Sequence, residues 1–383
     1  MRMAIMGGTL DPVHNGHLQI AQDVKRVCNL DGILLLPAGD PPHKQLSIDR
    51  FDRLEMARLA AKSQPGMMVS DIEIFREGTT FTVDTLTQLH AQQPEVEWMY
   101  IIGADTVRVL HKWRSFERVA KLCEFAAVGR PGFDASSVQE WADALARDYG
   151  AKIHLLDVCG PDISSTDVRN AVAEGKGADA LVPPSVAEFI REKGLYLCSM
   201  PLEQVKQKLQ CALKPERYQH TLGVAETARS LAPRYGVDTN RAYLAGLLHD
   251  CAKWMRYEDM VELVRGKVSD VTEEELANEP VLHAPAGMLV AQRDYGVRDA
   301  EILSAIRKHT VGSGGRTALE KLIYTADFVE PNRKPFPGLE EARALAETDL
   351  NAATKKCAML TRDHVIRCGG VPDPRSQEII DEA

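Results

Sequence analysis

Two groups of residues carry the side chains that can do chemistry, and they lie in opposite halves of the chain. The first reads Gly7-Gly8-Thr9-Leu10-Asp11-Pro12-Val13-His14-Asn15-Gly16-His17. The second combines four histidines with two aspartates: His220, His249, Asp250, His283, His309 and Asp327. The first group suits contact with a phosphate and the second suits metal binding. The sequence therefore predicts two separate chemistries in one chain.

The first group predicts an anion site at the start of a helix. A glycine pair lets the backbone approach a phosphate closely, and a helix beginning near Gly16 directs free N–H groups and its positive end toward it. His14 and His17 are three residues apart, so both imidazoles can face one anion. They can donate hydrogen bonds to a reacting phosphorus group without acting as nucleophiles. For His14 alone, a capping or packing role stays open as the alternative.

This string resembles the signature of the nucleotidyltransferase superfamily with paired histidines around a glycine. Five further segments resemble bacterial nicotinate-nucleotide adenylyltransferases, and the resemblance covers about residues 1–196: Pro41–Lys44, Thr80–Leu86, Ile102–Asp105, Leu110–Phe116 and Ile163–Arg169. The resemblance implies transfer of an adenylyl group from ATP to nicotinate mononucleotide, with pyrophosphate released and Mg²⁺ carried on the ATP.

The glycine loop, these segments and Arg130 supply the candidate site residues of the N-terminal half. Ser164, Ser165 and Thr166 precede a predicted helix, where they can cap it and bind a triphosphate, and Arg169 can clamp a phosphate one turn later. A plain helix cap with a surface arginine is the alternative. Candidates for contacts to ATP are Gly7, Gly8, Thr9, Gly103, Asp105, Ser164, Ser165, Thr166 and Arg169. Lys44 and Arg130 carry charges that suit the acidic mononucleotide, with solvated loop residues as the alternative. Trp113 can stack on the pyridine ring, a role that the resemblance favours over core packing, and Thr85 matches a substrate-facing position by resemblance only.

The second group predicts a metal centre with two ions. Its members lie on or at the ends of separate predicted helices, and helices that donate side chains inward are how bundles build metal sites. Four histidines and two carboxylates exceed the needs of one tetrahedral zinc ion. They suit two ions bridged by Asp250, with iron or manganese favoured over magnesium.

These residues and their neighbours resemble the YqeK-like branch of the HD phosphohydrolases over about residues 202–370. The segments that carry this resemblance are Arg217–Thr221, Leu248–Lys253, Leu282–Ala284, Arg307–Thr310 and Tyr324–Arg333. It implies symmetrical cleavage of diadenosine tetraphosphate to two ADP. One iron would be held by His220, His249, Asp250 and Asp327, and the other by His283, His309 and Asp250, with Asp250 essential to catalysis and Lys253 contacting phosphate. One departure is the arginine after His309, which is displaced to Arg316 and leaves the substrate of this half open.

The elements that must position these groups differ between the two halves. The N-terminal half alternates apolar runs with helical stretches, which predicts an α/β fold with a Rossmann-like parallel sheet. Predicted strands include Met3–Met6, Gly32–Pro37, Met67–Ile74 and Trp98–Ile102. After Leu197 helical patterns dominate, so we predict an all-α HD domain. The predicted domains are residues 1–197 and 202–383, and the polar end from Pro372 is expected to fray.

Composition sets limits on the class of protein. The chain has 383 residues, 44% hydrophobic and 26% charged, with a net charge of −9. The acidic balance argues against broad binding to nucleic acid, and no apolar run is long enough for a membrane span. Eight scattered cysteines without a Cys-x-x-Cys pair fit a reduced cytoplasm. Two alternatives stay open: transfer to phosphopantetheine or glycerol phosphate in the first half, and a different HD phosphohydrolase or a non-catalytic nucleotide sensor in the second.

Overall fold

The computed structural model describes residues 1–39, 47–129, 135–158, 160–311 and 315–382, which form two compact units. The first unit comprises Met1–Ala171 and Gly177–Ile190, and the second comprises Val172–Lys176 and Arg191–Ala383. Among the described residues, no helix is long and apolar enough to cross a membrane.

The first unit is a parallel sheet covered by helices, as predicted. Its strands are β1 (Arg2–Gly8), β2 (Gly32–Pro37), β3 (Met67–Val69), β4 (Glu97–Gly103), β5 (Cys123–Val128) and β6 (Ile153–Leu156). The helices are α1 (Asn15–Val27), α2 (Arg50–Lys62), α3 (Thr82–Gln92), α4 (Phe116–Leu122), α5 (Ala135–Tyr149), α6 (Ser165–Ala173) and α7 (Pro184–Lys193), with a 3₁₀ helix over Ala104–Lys112.

The strand order places the predicted site at the switch point of the sheet. The order is β3-β2-β1-β4-β5-β6, with β1 paired in parallel to both β2 and β4. In open parallel sheets of this kind, ligands bind at the carboxyl ends of the strands where the order reverses. Gly7 and Gly8 end β1 and Gly103 ends β4, so all three lie at that edge. All six residues of β2 are buried, as expected for an inner strand.

One predicted strand is shorter than expected. The apolar run Met67–Ile74 forms a strand only to Val69. Beyond it the chain turns, because the carbonyl oxygen of Asp71 accepts hydrogen bonds from the N–H groups of Ile74 and Phe75. The prediction extended the strand too far, since the apolar residues after Val69 serve a turn instead of the sheet.

The second unit is helical in its described residues, as predicted. Its helices are α8 (Leu202–Ala212), α9 (Pro215–Leu231), α10 (Thr239–Leu248), α11 (Tyr257–Val264), α12 (Glu273–Leu276), α13 (Glu279–Tyr295), α14 (Ala300–Lys308), α15 (Ala318–Val329), α16 (Leu339–Ala346), α17 (Leu350–Arg367) and α18 (Pro374–Glu382). Side-chain caps fix the starts of the helices near the predicted metal ligands. Asp238 caps α10, Asp299 caps α14, and Thr317 with Glu320 forms a capping box on α15.

The C-terminal end is ordered, which contradicts the expectation that it frays. Helix α18 buries Ile379 and Ile380 in the core of the second unit. Arg375 also donates a hydrogen bond to the buried carboxylate of Glu275 at 3.1 Å. Both terminal nitrogens of Arg307 donate to the same carboxylate. The prediction rested on polarity alone, whereas two apolar residues and one buried ion pair are enough to dock a short helix.

Candidate active sites

Two cavities meet at the carboxyl edge of the sheet in the first unit. One of about 500 Å³ is lined by Gly8, Thr9, His14, Ser164, Ser165, Thr166 and Arg169 among others. The other, of about 430 Å³, is lined by Gly7, Gly103, Tyr100, Trp113 and neighbouring residues. His17 lines both cavities, as do Gly8, Ile20 and Gly129. The structure therefore places His17 where a group held in one cavity can react with a group held in the other.

His14 and His17 lie in the segment Gly7–His17, called the phosphate loop below, and each fixes the tautomer of the other. Helix α1 begins with a capping box in which His14 Nδ1 accepts from the His17 N–H and His17 Nδ1 accepts from the His14 N–H. Each Nδ1 is thus an acceptor, which leaves each Nε2 as the N–H donor. Burial lowers the pKa of His14 to about 4, so its ring is neutral at physiological pH. Both imidazoles are thereby prepared as hydrogen-bond donors.

The two glycines of the loop have different roles. A side chain on Gly7 would collide with the Tyr100 hydroxyl. A side chain on Gly8 would meet nothing within 4 Å. Gly7 therefore permits close packing of β1 against Tyr100, and Gly8 leaves open space beside the cavities for an incoming group.

The start of α6 is tied to the phosphate loop. Ser165 donates its hydroxyl to the Pro12 carbonyl at 2.9 Å, and Arg169 donates to the Asp11 carbonyl at 2.6 Å and to the Thr166 hydroxyl at 3.0 Å. Asp167 accepts from the backbone N–H of Ser164 at 2.7 Å and from its hydroxyl at 2.5 Å. These contacts bring the predicted triphosphate residues beside the histidines, although 150 residues separate them in sequence.

The predicted mononucleotide residues have mixed outcomes. Trp113 lines the second cavity and packs edge-on against Tyr100 and Phe125, which gives the cavity an aromatic wall. Thr85 is buried, and its hydroxyl donates to Glu73 at 2.7 Å and accepts from Arg76 at 2.8 Å. Glu73 lines the cavity and Thr85 does not.

The structure does not place three further predicted residues in either cavity, and two of them are not described. Asp105 is exposed and belongs to the lining of neither cavity. Lys44 and Arg130 lie outside the described residues. Their assignments therefore stay predictions.

The six predicted metal ligands converge in the second unit. Asp250 Oδ1 lies 3.1 Å from His283 Nε2 and 3.7 Å from His309 Nε2. Asp250 Oδ2 lies 3.3 Å from His249 Nε2 and 3.9 Å from His220 Nε2. Asp327 Oδ1 lies 3.0 Å from His220 Nε2 and 3.9 Å from His249 Nε2. The two oxygens of Asp250 therefore face two different pairs of histidines.

The outer nitrogens of three of these histidines are already engaged. His249 and His309 each end a helix and direct Nδ1 at the carbonyl three residues earlier, at 2.7 Å in both cases. His220 Nδ1 lies 3.1 Å from the buried carboxylate of Glu330. A carbonyl or carboxylate at Nδ1 holds the proton there, which leaves the Nε2 lone pair directed inward.

These lone pairs require a cation between them. Buried Nε2 atoms of His220 and His249 have no hydrogen-bond partner, although both lie near carboxylate oxygens. His283 Nε2 and His309 Nε2 are 3.0 Å apart, and burial lowers the pKa of His283 to about 4. Imidazole nitrogens and carboxylate oxygens at these distances share a cation, which is a proton or a metal ion, and a cluster with this many donors fits bound metal ions. Three overlapping groups of these residues have ligand atoms within 4.8 Å of one another.

The protein's own charges hold the carboxylates ionised. Burial by itself raises the pKa of Asp250, but His249, His283 and His309 hold the pKa of this carboxyl well below its usual range. Arg217 also donates to Asp250 Oδ2 at 2.8 Å, and Arg333 donates to Asp327 Oδ1 at 2.6 Å. Both carboxylates are therefore available as metal ligands at neutral pH.

Glu330 is a functional residue that sequence reasoning missed. Its carboxylate is 1% exposed and reaches His220 across 110 residues of sequence. It belongs to the segment Tyr324–Arg333 but received no role there. Histidines that bind metals usually pair their second nitrogen with a carboxylate or a carbonyl, so a partner for His220 could have been expected. The sequence could not show which carboxylate does so.

Lys253 and Arg316 both pack into the protein. Burial lowers the pKa of Lys253. Arg316 is buried, donates to the Lys308 carbonyl at 2.9 Å, and lies 4.4 Å over the Tyr324 ring. Arg316 therefore links the end of α14 to α15.

Comparisons with known proteins assign each half to a family. Residues 5–171 match the Cytidylyltransferase-like family, and residues 217–343 match the HD domain. A probable nicotinate-nucleotide adenylyltransferase of Desulfitobacterium hafniense (strain DSM 10664 / DCB-2) is 42% identical over 200 residues, which are 51% of this chain and 95% of the relative. A probable nicotinate-nucleotide adenylyltransferase of Citrifermentans bemidjiense is 37% identical over 213 residues, covering 51% of this chain and 99% of the relative.

Two solved structures are also similar. One is an HD superfamily hydrolase described as involved in NAD metabolism, from Clostridium acetobutylicum, with 36% identity and a TM-score of 0.46 over 48% of this chain and 96% of that one. The other is Plasmodium falciparum nicotinic acid mononucleotide adenylyltransferase with NaAD, with 17% identity and a TM-score of 0.43 over 51% and 97%. Through its N-terminal half the chain belongs to the nicotinate-nucleotide adenylyltransferase family, and its C-terminal half carries an HD domain.

Proposed function

We propose that the first unit transfers the adenylyl group of ATP to nicotinate mononucleotide, giving nicotinate adenine dinucleotide and pyrophosphate. The observation that carries this proposal is the position of His17 in the walls of both cavities. The triphosphate would lie against Ser164–Arg169 and the mononucleotide against the aromatic wall. A phosphate oxygen of the mononucleotide would then attack the α-phosphorus of ATP beside His17. The bond from the α-phosphorus to the β-phosphate would break, and pyrophosphate would leave.

Such a reaction needs alignment and charge stabilisation more than a protein nucleophile. The mononucleotide phosphate is itself the nucleophile, so the protein must hold two phosphates close and meet the charge that develops. The Nε2–H groups of His14 and His17 supply fixed donors for that charge. Magnesium would accompany ATP as part of the substrate.

A substrate screen tests the choice of acceptor. Full-length protein with ATP and Mg²⁺ is supplied in turn with nicotinate mononucleotide, its amide counterpart, phosphopantetheine and glycerol 3-phosphate, the last also with CTP. Trp113 and Tyr100 favour a flat ring in the second cavity, so nicotinate mononucleotide should react fastest. Faster turnover of either non-aromatic acceptor would overturn the assignment and favour that alternative.

We propose that the second unit is a metal-dependent phosphohydrolase that splits diadenosine tetraphosphate symmetrically into two ADP. The observation that carries this proposal is the two-sided environment of Asp250, whose oxygens face two histidine pairs. One ion would be held by His220, His249, Asp250 and Asp327, and the other by His283, His309 and Asp250. Two such ions, when bound, lower the pKa of water and neutralise phosphoryl oxygens; iron or manganese suits these ligands best.

A neighbouring cavity supports a polyphosphate nucleotide as substrate. It has a volume of about 530 Å³ and borders His220 and Glu330. Its wall contains four cationic side chains and one aromatic ring: Lys214, Arg217, Arg333, Lys334 and Phe336. A guanidinium group can donate two hydrogen bonds to one phosphate, and an exposed aromatic ring can stack on a base. Arg217 and Arg333 already contact the carboxylates of two proposed ligands, so they can reach a phosphate at the metals.

Product analysis in isotopic water tests the cleavage pattern. The protein is loaded with iron under anaerobic conditions and incubated with diadenosine tetraphosphate in H₂¹⁸O. Symmetrical attack gives ADP as the sole nucleotide, half of it labelled. A mixture of AMP and ATP would refute symmetrical attack. Cleavage of other nucleotides alone would favour a different HD phosphohydrolase, and metal binding without any turnover would favour a nucleotide sensor.

We further propose that the two activities belong to independent folding units. Residues 1–197 should make the dinucleotide alone, and residues 202–383 should retain hydrolysis alone, because each set of site residues lies within one half of the sequence. Soluble expression of each half, followed by both assays, tests this division. Activity that requires both halves together would contradict it.

A further inference from the structure

Arg53 is a charged side chain with no exposure to solvent. It lies on α2, outside every motif discussed so far, and is 0% exposed. Its Nη1 donates to the Thr9 carbonyl at 2.8 Å and to the Ala38 carbonyl at 2.6 Å, and Nη2 donates to the Gly39 carbonyl at 3.0 Å. Burial of a guanidinium group is costly unless its donors are satisfied, so these contacts restrict both Arg53 and its partners.

The carbonyls that Arg53 binds belong to the loops of both cavities. Thr9 follows β1 and lines the first cavity, whereas Ala38 follows β2 and lines the second. The N–H of Ala38 also donates to the Gly8 carbonyl at 2.8 Å. One buried side chain therefore ties together the carboxyl ends of the two strands from which the site is built.

The bond to Thr9 also sets the direction of the next peptide N–H. In a planar trans peptide the carbonyl and the following N–H point to opposite sides, so fixing the Thr9 carbonyl on Arg53 turns the Leu10 N–H away from it. Leu10 has a φ of +48°, a conformation that residues with branched side chains seldom adopt. A strained residue persists when surrounding contacts hold it, and the Arg53 bond is such a contact.

We propose that Arg53 is a positioning residue for adenylyl transfer. It holds the Thr9–Leu10 backbone so that the loop meets the reacting phosphates in one conformation, and it places a fixed positive charge behind that loop. A charge in a dry interior acts on a nearby phosphate more strongly than one in water. This inference rests on the adenylyl transfer proposed above for the first unit.

Two substitutions at Arg53 and one matched control test the inference in the full-length chain. Arg53→Met removes all three bonds and the charge. Arg53→Lys keeps the charge but replaces the planar guanidinium, which binds the three carbonyls through two nitrogens, with a single ammonium. The control is Arg58→Met on the same helix, where an exposed guanidinium pairs with Asp71. The number of ATP sites is counted by equilibrium dialysis, so that kcat can be given per folded site, and KM is measured for both substrates.

We expect kcat per ATP site to fall about 100-fold in Arg53→Met and about tenfold in Arg53→Lys, with KM for ATP changed less than threefold. Arg58→Met should stay within twofold of wild type. A purely structural role would lower the number of sites and leave kcat per site unchanged, which would overturn the inference. If Arg53→Met does not fold, Arg53→Lys decides: a tenfold loss supports positioning, and wild-type turnover contradicts it. A wild-type chain that makes no dinucleotide overturns the proposed function, and the inference with it.

Discussion

The two sites differ in what completes them. In the first unit, His14 and His17 satisfy each other through a capping box, and Ser164 pairs with Asp167, so the donors are arranged before any ligand arrives. In the second unit, the inward nitrogens of the histidines face two ionised carboxylates, and this donor set fits bound metal ions. The first site is organised by its own hydrogen bonds, whereas the second would be completed by the metal ions proposed for it. Changes should therefore act locally in the first and collectively in the second.

The largest effect is expected at the shared ligand of the metal site. Asp250→Ala removes a ligand from both proposed ions at once, because its two oxygens face different histidine pairs. Hydrolysis should fall by roughly 10³-fold or more, as when one member of a group that acts as a unit is lost. Metal content by elemental analysis should fall with it, while adenylyl transfer by the same protein serves as the control. Wild-type hydrolysis in this variant would remove the bridged-metal assignment.

A smaller effect is expected at the centre of the first site. His17→Ala removes one donor and leaves the rest of the phosphate loop supported by Ser165 and Arg169. We expect kcat for adenylyl transfer to fall about 10²-fold with ATP affinity largely kept, because the donor meets charge that develops in the transition state. Steady-state kinetics and direct ATP binding check this expectation. Near wild-type turnover would show that the loop has no part in the chemistry.

The residues named from the sequence share one property, which is that their chemistry can be recognised from type and spacing. Histidines, aspartates and a glycine loop at the ends of predicted elements predicted both candidate sites, and the alternation of apolar and helical patterns predicted the fold class. Arg53 and Glu330 were missed because their roles depend on contacts across 44 and 110 residues of sequence. An arginine or a glutamate on a helix is usually solvated, so nothing local marked either one.

A turn and packing explain where the predicted elements departed from the structure. The apolar run after Val69 was taken for strand, but the turn at Asp71 ends the pairing. The polar end of the chain was expected to fray, yet Ile379, Ile380 and Arg375 dock α18. The first departure comes from a local turn that the apolar pattern did not reveal, and the second comes from tertiary contacts that hold a polar helix in place.

An intermediate effect, on metal affinity, is expected at Glu330, which contacts the outer nitrogen of His220. Glu330→Gln keeps the size of the side chain but removes the negative charge that orients His220. Carboxylates that pair with ligating histidines in this way contribute about tenfold or more to metal affinity. Competition with a calibrated chelator should show one ion lost about tenfold more easily. The matched control is Glu341→Gln on α16, an exposed carboxylate that pairs with Lys356. Equal affinities in both variants would contradict a supporting role for Glu330.

The smallest effect is expected in the pH dependence of the unfolding free energy. It tests whether His14 is held neutral by the protein before a ligand binds. His14 has its pKa lowered by burial to about 4, against 6.5 for an ordinary histidine. The unfolded chain therefore binds a proton near pH 6.5 that the folded chain refuses until about pH 4. The folded state is then favoured above pH 6.5 and loses stability as the pH falls toward 4. Between pH 7.5 and 5.5 this single group should cost about 1 kcal/mol of unfolding free energy.

Comparison of His14→Asn with the parent protein isolates that contribution. Urea unfolding is followed by tryptophan fluorescence, which reports mainly the first unit, because Trp98, Trp113 and Trp141 lie there and Trp254 lies in the second. The parent should lose about 1 kcal/mol more than His14→Asn between the two pH values, and His90→Asn, at an exposed histidine on α3, should match the parent. Equal pH dependence in all three proteins would mean that His14 is not held neutral. The first site would then need its ligand to set its protonation, as the second needs its metals, and the contrast between the two would disappear.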